Sequence, residues 1–297
     1  MTAPDNRGAL IAFTGATPNT GCTSAAYLTA AQLAKWTGKR VGYVCLNLKS
    51  SKIHRYLGVD EPEYRLDHLK AELKSGTLTP GMLLHRCWQP DSSTDLHVLF
   101  GNSQRNQAEL YVPGHIEHLL DIAQQTFAYT LVETNAYWDN AATLIALQQA
   151  AARMMVVTNE ITSFQEDVMA WTREGSQLFH IPQAAMNLLV YECRAEGFSR
   201  QDIERETGMK VIQTLRYSDR VKQHLDEGKL AHLPDQLPYA QPFQRIALAI
   251  LHQLDQPAEE IERAMERSAY SLFQRLLRSL KGLKRPRGGI NHEYPKA

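Results

Sequence analysis

Residues 14–24, TGATPNTGCTS, combine small side chains with two glycines and end in the hydroxyls of Thr23 and Ser24. A loop of this composition, set between an apolar run and a helix, can turn backbone N–H groups inward and aim a helix N-terminus at an anion. Gly15 and Gly21 give the conformational freedom that a close approach of backbone to ligand requires. The chemistry that follows is phosphate binding, with Gly15, Asn19, Thr20, Gly21, Cys22, Thr23 and Ser24 as the contacting residues. Hydrolysing a bound nucleotide takes more: a lysine on the β- and γ-phosphates and a Ser or Thr on magnesium. Thr23 supplies the hydroxyl, and the loop contains no lysine. Taken without its neighbours, the same stretch also reads as an ordinary strand-to-helix turn.

The elements around the loop are those such a site needs. Short apolar runs alternate with longer helical patterns: ALIAF (9–13), VGYVCLNL (41–48), DLHVLF (95–100), YTLVET (129–134), RMMVVTN (153–159), MNLLVYE (186–192) and KVIQTL (210–215). Helical stretches between them include TSAAYLTAAQLAKWTG, GHIEHLLDIAQQT and NAATLIALQQAAA. Alternation of this kind predicts a mostly parallel central sheet flanked by helices, an α/β fold. Several runs are continuously apolar, as strands buried on both faces are. PDSSTD (90–95) reads as a surface loop and LPDQLPYAQP (233–242) as a linker into the last helices.

Placed in that order, the segments resemble the MinD/ParA family of deviant P-loop ATPases, whose loop pattern is K-G-G-x-G-K-[ST]-[ST]. Gly21 and Thr23 match it and Ser24 is compatible, whereas Thr17 and Cys22 stand at its two lysines and Pro18 and Asn19 at its paired glycines. VCLNLKSSKIHRYLG (44–58) is similar to the family segment that carries two aspartates, with Cys45 and Asn47 in their places. YTLVETN (129–135) resembles the Walker B strand, with Glu133 at its aspartate. RMMVVTNEITSFQED (153–167) and GFSRQDIERETGMKVIQTLRYSDRVKQHLDEGK (197–229) resemble later family blocks. The CpaE/TadZ pilus-assembly branch is the most similar, since its members often lack the loop lysine. Many of them carry a further domain in front of the first strand, which this chain reaches almost at once.

The resemblance implies a P-loop NTPase fold over residues 1–265, ATP or ADP with Mg2+ as ligands, and Thr23 and Glu133 as the metal-side residues. It equally implies that Thr17, Cys22, Cys45 and Asn47 are degenerate catalytic positions. Phosphoryl transfer is mostly positioning and charge stabilisation. Without two cations and a carboxylate, hydrolysis is expected to be absent or very slow. Nucleotide binding through the backbone stays open, and so does a chain with no cofactor. Relatives often place an Asn where Glu192 ends its strand, so base recognition is not carried over. In the family fold Cys22 and Cys45 come near each other, which allows a redox-sensitive pair, although free cysteines more commonly serve as small buried apolar groups.

A second feature lies at the end of the chain. In residues 266–297, Leu272, Phe273, Leu276, Leu277, Leu280 and Leu283 recur at three- and four-residue spacing, with Arg275, Arg278, Lys281 and Lys284 on the remaining face. A basic amphipathic helix of this kind suits an anionic membrane surface, and MinD-type proteins resemble it in ending on such a segment. A partner-binding helix and a plain packed helix fit the same pattern.

Composition restricts the rest. With 32 basic and 32 acidic residues in 297, the chain offers no bulk field for nucleic acid. Four scattered cysteines without a C-x-x-C pair exclude a zinc ribbon or a disulfide scaffold, and the N-terminus lacks a signal peptide's basic and apolar regions. The expectation is a cytoplasmic protein, peripheral at the inner face of the membrane, that localises or recruits a pilus or secretion assembly with little ATP hydrolysis. A homodimer is implied by the family. The other reading is an active positioning or partition ATPase that needs a partner to complete its site.

Overall fold

The computed structural model describes residues 7–91, 93–181, 186–192, 197–236, 239–263 and 265–267. The chain divides between Ala258 and Glu259. In the first unit, seven strands form one sheet: β1 (Ala9–Gly15), β2 (Val41–Leu46), β3 (Leu96–Leu99), β4 (Tyr129–Thr134), β5 (Ala152–Thr158), β6 (Met186–Glu192) and β7 (Lys210–Arg216). Their order is β3-β2-β4-β1-β5-β6-β7 and every ladder is parallel. The predicted α/β class is therefore what the chain adopts, and each apolar run read as a strand lies in this sheet.

The pleat sends alternate residues to opposite faces. Leu10, Ala12, Val44, Leu46 and Val132 pack with Ile116, Leu119 and Leu120 of α5 (Pro113–Thr126) and Ala142 and Ala146 of α6 (Ala141–Gln149). Phe13, Tyr43, Cys45, Leu131 and Glu133 alternate with them and belong to the other face. There α1 (Cys22–Thr37) packs against β2 and β4. All of α1 from Ser24 to Ala34 is buried, because α10 (Ala240–Gln253) covers its outer side. A helix buried all round needs small residues, and Ala25, Ala26, Ala30, Ala31 and Ala34 supply them. It ends at Gly38, whose left-handed φ of 61° lets its N–H reach the Ala34 carbonyl.

Two details depart from the sequence reading. The 140–152 helical pattern stops at Gln149, and Ala152 already belongs to β5. Arg153 explains the stop: its buried guanidinium donates to the carbonyls of Leu147 (2.5 Å) and Gln148 (3.0 Å), closing the end of α6. Part of the expected 233–242 linker is a 3-10 turn, Leu230–Asp235, with Leu233 and Pro234 buried and the Pro234 carbonyl accepting from Gln32 at 2.9 Å. After β5 the chain runs through wide turns at Ser163–Val168 and Trp171–Gly175, which bring Trp171 edge-on to Trp138 at 4.9 Å. In the second unit, residues 259–263 and 265–267 are helical. The amphipathic stretch read over 272–284 lies outside the described residues.

Candidate phosphate site

The loop between β1 and α1 is held open by backbone conformation. Asn19 and Gly21 both take left-handed φ values, 66° and 84°. Gly21 precedes the first turn of α1 with no side-chain cap, which leaves the N–H groups of that turn without an intrahelical partner. The glycines have steric reasons as well. A Cβ on Gly15 would stand 2.6 Å from the Thr17 carbonyl oxygen and 2.7 Å from Thr20 Oγ1, and one on Gly21 would meet the Tyr191 ring at 2.7 Å. Ser24 Oγ donates to the Gly21 carbonyl at 2.9 Å and lies 3.1 Å from the Tyr191 hydroxyl. Thr20 is 4% exposed and its hydroxyl, enclosed by the loop, has no hydrogen-bond partner.

Behind the loop stands a buried carboxylate. Glu133, 1% exposed, is paired across the sheet with Phe13 of β1 and Cys45 of β2. Thr23 Oγ1 (2.5 Å) and Asn47 Nδ2 (3.3 Å) donate to its Oε1, while the Tyr43 hydroxyl and the Cys45 thiol (3.5 Å) donate to Oε2. All four donors are uncharged, and two on each oxygen fill the carboxylate's acceptor positions. Asn47 is oriented by its other end, whose Oδ1 accepts from the Ser50 N–H at 3.1 Å. Burial, and then the negative Glu133, raise the pKa of the Cys22 and Cys45 thiols and of the Tyr43 hydroxyl well above their usual values. These groups hold their protons.

The donor set suits phosphate and does not suit magnesium. Free N–H groups at the start of α1 and a left-handed loop are what a phosphate oxygen requires. Magnesium demands octahedral oxygen ligands at about 2.0–2.1 Å, which keeps neighbouring ligand oxygens about 2.9 Å apart. Thr23 and Glu133 are closer than that and already bonded to each other. Amide, thiol and phenol hydrogens point at the carboxylate where a cation would approach. No group of three His, Cys, Asp or Glu residues able to hold a metal occurs among the described residues.

The structure thus brings Thr23, Cys45, Asn47 and Glu133 into one cluster beside the Gly15–Ser24 loop. Thr17 is half-buried and Pro18 and Asn19 are exposed on the loop's outer side. Cys22, Cys45 and Cys87 are free thiols. Protonated thiols are poor nucleophiles, which weighs against a redox pair. Three residues were not singled out by sequence: Tyr43, Tyr191 and Lys52, whose Nζ donates to Asn19 Oδ1 at 3.3 Å. Tyr43 had a signal, since Tyr43, Cys45 and Asn47 follow at two-residue steps and share one face of the strand and its extension.

No family model matches the sequence, and no curated protein matches it either. Solved structures do. A ParA family ATPase of Chlorobium tepidum superposes with a TM-score of 0.72 at 15% identity, covering 82% of this chain and 99% of that one. The cell division ATPase MinD of Pyrococcus furiosus gives 0.65 at 15% identity, covering 86% and 99%. The fold is that of the MinD/ParA P-loop ATPases. A third neighbour, the septum site-determining MinD of Pyrococcus horikoshii, is a complex with Mg-ADP and matches with a TM-score of 0.63 at 14% identity over 82% of this chain and 96% of that one.

Proposed function

We propose that this chain is a scaffold on the MinD/ParA fold which does not turn nucleotide over and which positions or recruits other proteins at an anionic membrane surface. The observation that carries this reading is Glu133 held by four uncharged donors, beside a loop with Thr17 and Cys22 at the resemblance's lysine positions. Developing negative charge on a transferred phosphoryl group would meet a buried carboxylate and no loop lysine. The loss of one well-placed stabilising donor costs roughly 10²–10³ in rate, and two lysines are missing from the loop.

The recruiting role is supported by the end of the sheet at which the loop lies. Tyr137, Ile161, Phe198 and Tyr217 follow the carboxyl ends of β4, β5, β6 and β7 and are 41–57% exposed. Apolar groups gathered beyond the strand ends favour a protein partner there. The resemblance to the CpaE/TadZ branch supports a pilus or secretion assembly as the machine served. It equally supports a homodimer, which is expected to form without nucleotide because Thr17 brings no charge to a shared site. Light scattering with and without ATP tests that expectation; a dimer seen only with ATP refutes it.

Membrane attachment is assigned to the basic amphipathic pattern over 272–284. No helix among the described residues is long and apolar enough to cross a membrane, and the attachment proposed rests on the sequence pattern over 272–284. Each basic residue near an anionic surface contributes about 1 kcal/mol. The test is co-sedimentation with vesicles of anionic and of zwitterionic lipid. The full chain is expected to pellet with the anionic vesicles and a chain ending at Tyr270 to stay in solution. Equal pelleting of both chains rejects the anchor.

A further inference from the structure

Lys52 stands beside a loop that has lost its lysines, and it arrives there from a different segment. It precedes α2 (Ile53–Tyr56), whose first residue is fully buried. The segment is fixed at its far end too. Gly58 and Gly228 meet backbone to backbone, so closely that a Cβ on Gly58 would stand 2.8 Å from the Gly228 carbonyl oxygen. The Lys52 ammonium reaches over to Asn19 Oδ1, a neutral acceptor, at 3.3 Å. Its neighbour Lys49 is committed elsewhere, in an ion pair with Asp139.

The loop that Lys52 covers has its own unfilled polar groups. The Thr20 hydroxyl, 4% exposed, has no partner, and neither does Asn135 Oδ1, 5% exposed. Asn135 is at the same end of the sheet, where its carbonyl accepts from Thr14 Oγ1 of β1 at 2.9 Å. A hydroxyl buried without a partner costs about 1–3 kcal/mol unless something binds it. A phosphate oxygen inside the loop would accept from Thr20 and from the first N–H groups of α1, and would face the Lys52 ammonium.

We propose that Lys52 supplies in cis the cation of this cradle, so that the loop takes a pyrophosphate-type group, free or as part of a nucleotide, without a divalent metal. The proposal rests on the scaffold reading above and goes further, because it names the ligand chemistry and removes magnesium from it. Charge balance leads to the same result. A metal normally offsets the phosphate charge next to the Walker B carboxylate. Here Glu133 is bound by neutral donors and closed to a cation, and Lys52, hydrogen-bonded to Asn19 of the loop, is placed to offset the phosphate charge instead.

The experiment is calorimetric titration of the full chain with inorganic pyrophosphate and with ADP, each in EDTA and in magnesium. Binding with the same affinity in both buffers is expected, and ADP binding more tightly than pyrophosphate would assign a share to the nucleoside. The Lys52→Ala variant should bind roughly tenfold or more weakly, as expected for the loss of one charge-assisted contact. Lys52→Arg should retain most of the affinity, and Lys49→Ala should match the parent. Circular dichroism confirms that each variant is folded. Binding that requires magnesium, binding indifferent to Lys52→Ala, or no binding by the parent chain each overturns the proposal while leaving the scaffold reading standing. That reading fails on a different result, sustained ATP turnover.

Discussion

Removing the Tyr43 hydroxyl isolates what holds Glu133 in place. Tyr43 is fully buried on β2, packed edge-on against Tyr27 at a ring distance of 5.9 Å, and its hydroxyl donates to Glu133 Oε2. Tyr43→Phe keeps the ring and its packing. What remains on Oε2 is the Cys45 thiol at 3.5 Å, a weak donor. A hydrogen bond to a charged group contributes about 1.5–3 kcal/mol. Burying Phe also spares the desolvation of a hydroxyl, which offsets a part, so a net loss of about 2 kcal/mol is expected. For a domain of this size that corresponds to a melting point roughly 4–8 °C lower. Urea unfolding is the assay, with an unchanged slope as the sign that only stability has moved. In a Glu133→Gln background the hydroxyl faces a neutral partner and its removal should cost only about 1 kcal/mol, which gives a coupling near 1 kcal/mol. A loss under about 0.5 kcal/mol in the parent, or equal losses in both backgrounds, would refute the assignment of Tyr43 as the principal donor to Oε2.

Gly21→Ala places a Cβ at positive φ and 2.7 Å from the Tyr191 ring, so it should destabilise by about 1–3 kcal/mol and weaken pyrophosphate binding; a neutral effect on both counts against the loop geometry. Arg153→Met removes two hydrogen bonds at the end of α6 and should cost about 2–4 kcal/mol in urea unfolding, whereas an effect below 1 kcal/mol would mean the carbonyls find other donors. Cys45 is buried and Cys22 and Cys87 partly so, and all three have raised pKa values, Cys87 pushed up to about 12, so iodoacetamide at pH 8 should label these three slowly until denaturant is added; rapid labelling of them in buffer would contradict the raised values. His54 is lowered to about 4, by partial burial first and by Arg65 and Arg55 next. The unfolded chain therefore takes up the His54 proton before the folded one, and stability should fall as pH drops from about 6.5 towards 4. His54→Asn should flatten that part of the profile, and an unaltered profile would assign the slope to other groups.

Much of the fold is written in the sequence because strands buried on both faces are mostly apolar, as β1 and β2 are, while Glu133 in β4 and Arg153 in β5 are buried exceptions with partners of their own. The loop is legible through Gly15, Gly21 and Thr23, whose types are tied to backbone conformation and helix start. Other parts could not be read locally. Lys52 meets Asn19 only because the buried Ile53 and the Gly58–Gly228 contact fix its segment, and no spacing encodes that. Tyr43 shares the strand face of Cys45 and Asn47, but its role shows only once the sheet sets Cys45 opposite Glu133 and brings the Tyr43 hydroxyl within reach of that carboxylate. Arg153 ends α6 earlier than helix propensity does, through a side chain donated from the next strand. The turns after Ser163 widen beyond helical periodicity, so their packing of Trp171 on Trp138 leaves no regular pattern. The basic stripe over 272–284 remains a sequence observation.

The proposed function requires a phosphate loop on a MinD/ParA fold without phosphoryl transfer. Steady-state release of phosphate from ATP by the full chain, with magnesium and with or without anionic vesicles, tests it most directly. No release above that of a Gly21→Ala control is the predicted result. Sustained turnover that vesicles accelerate and Gly21→Ala abolishes would contradict it, and would mean that a site with Thr17, Cys22, Cys45 and Asn47 still performs the chemistry.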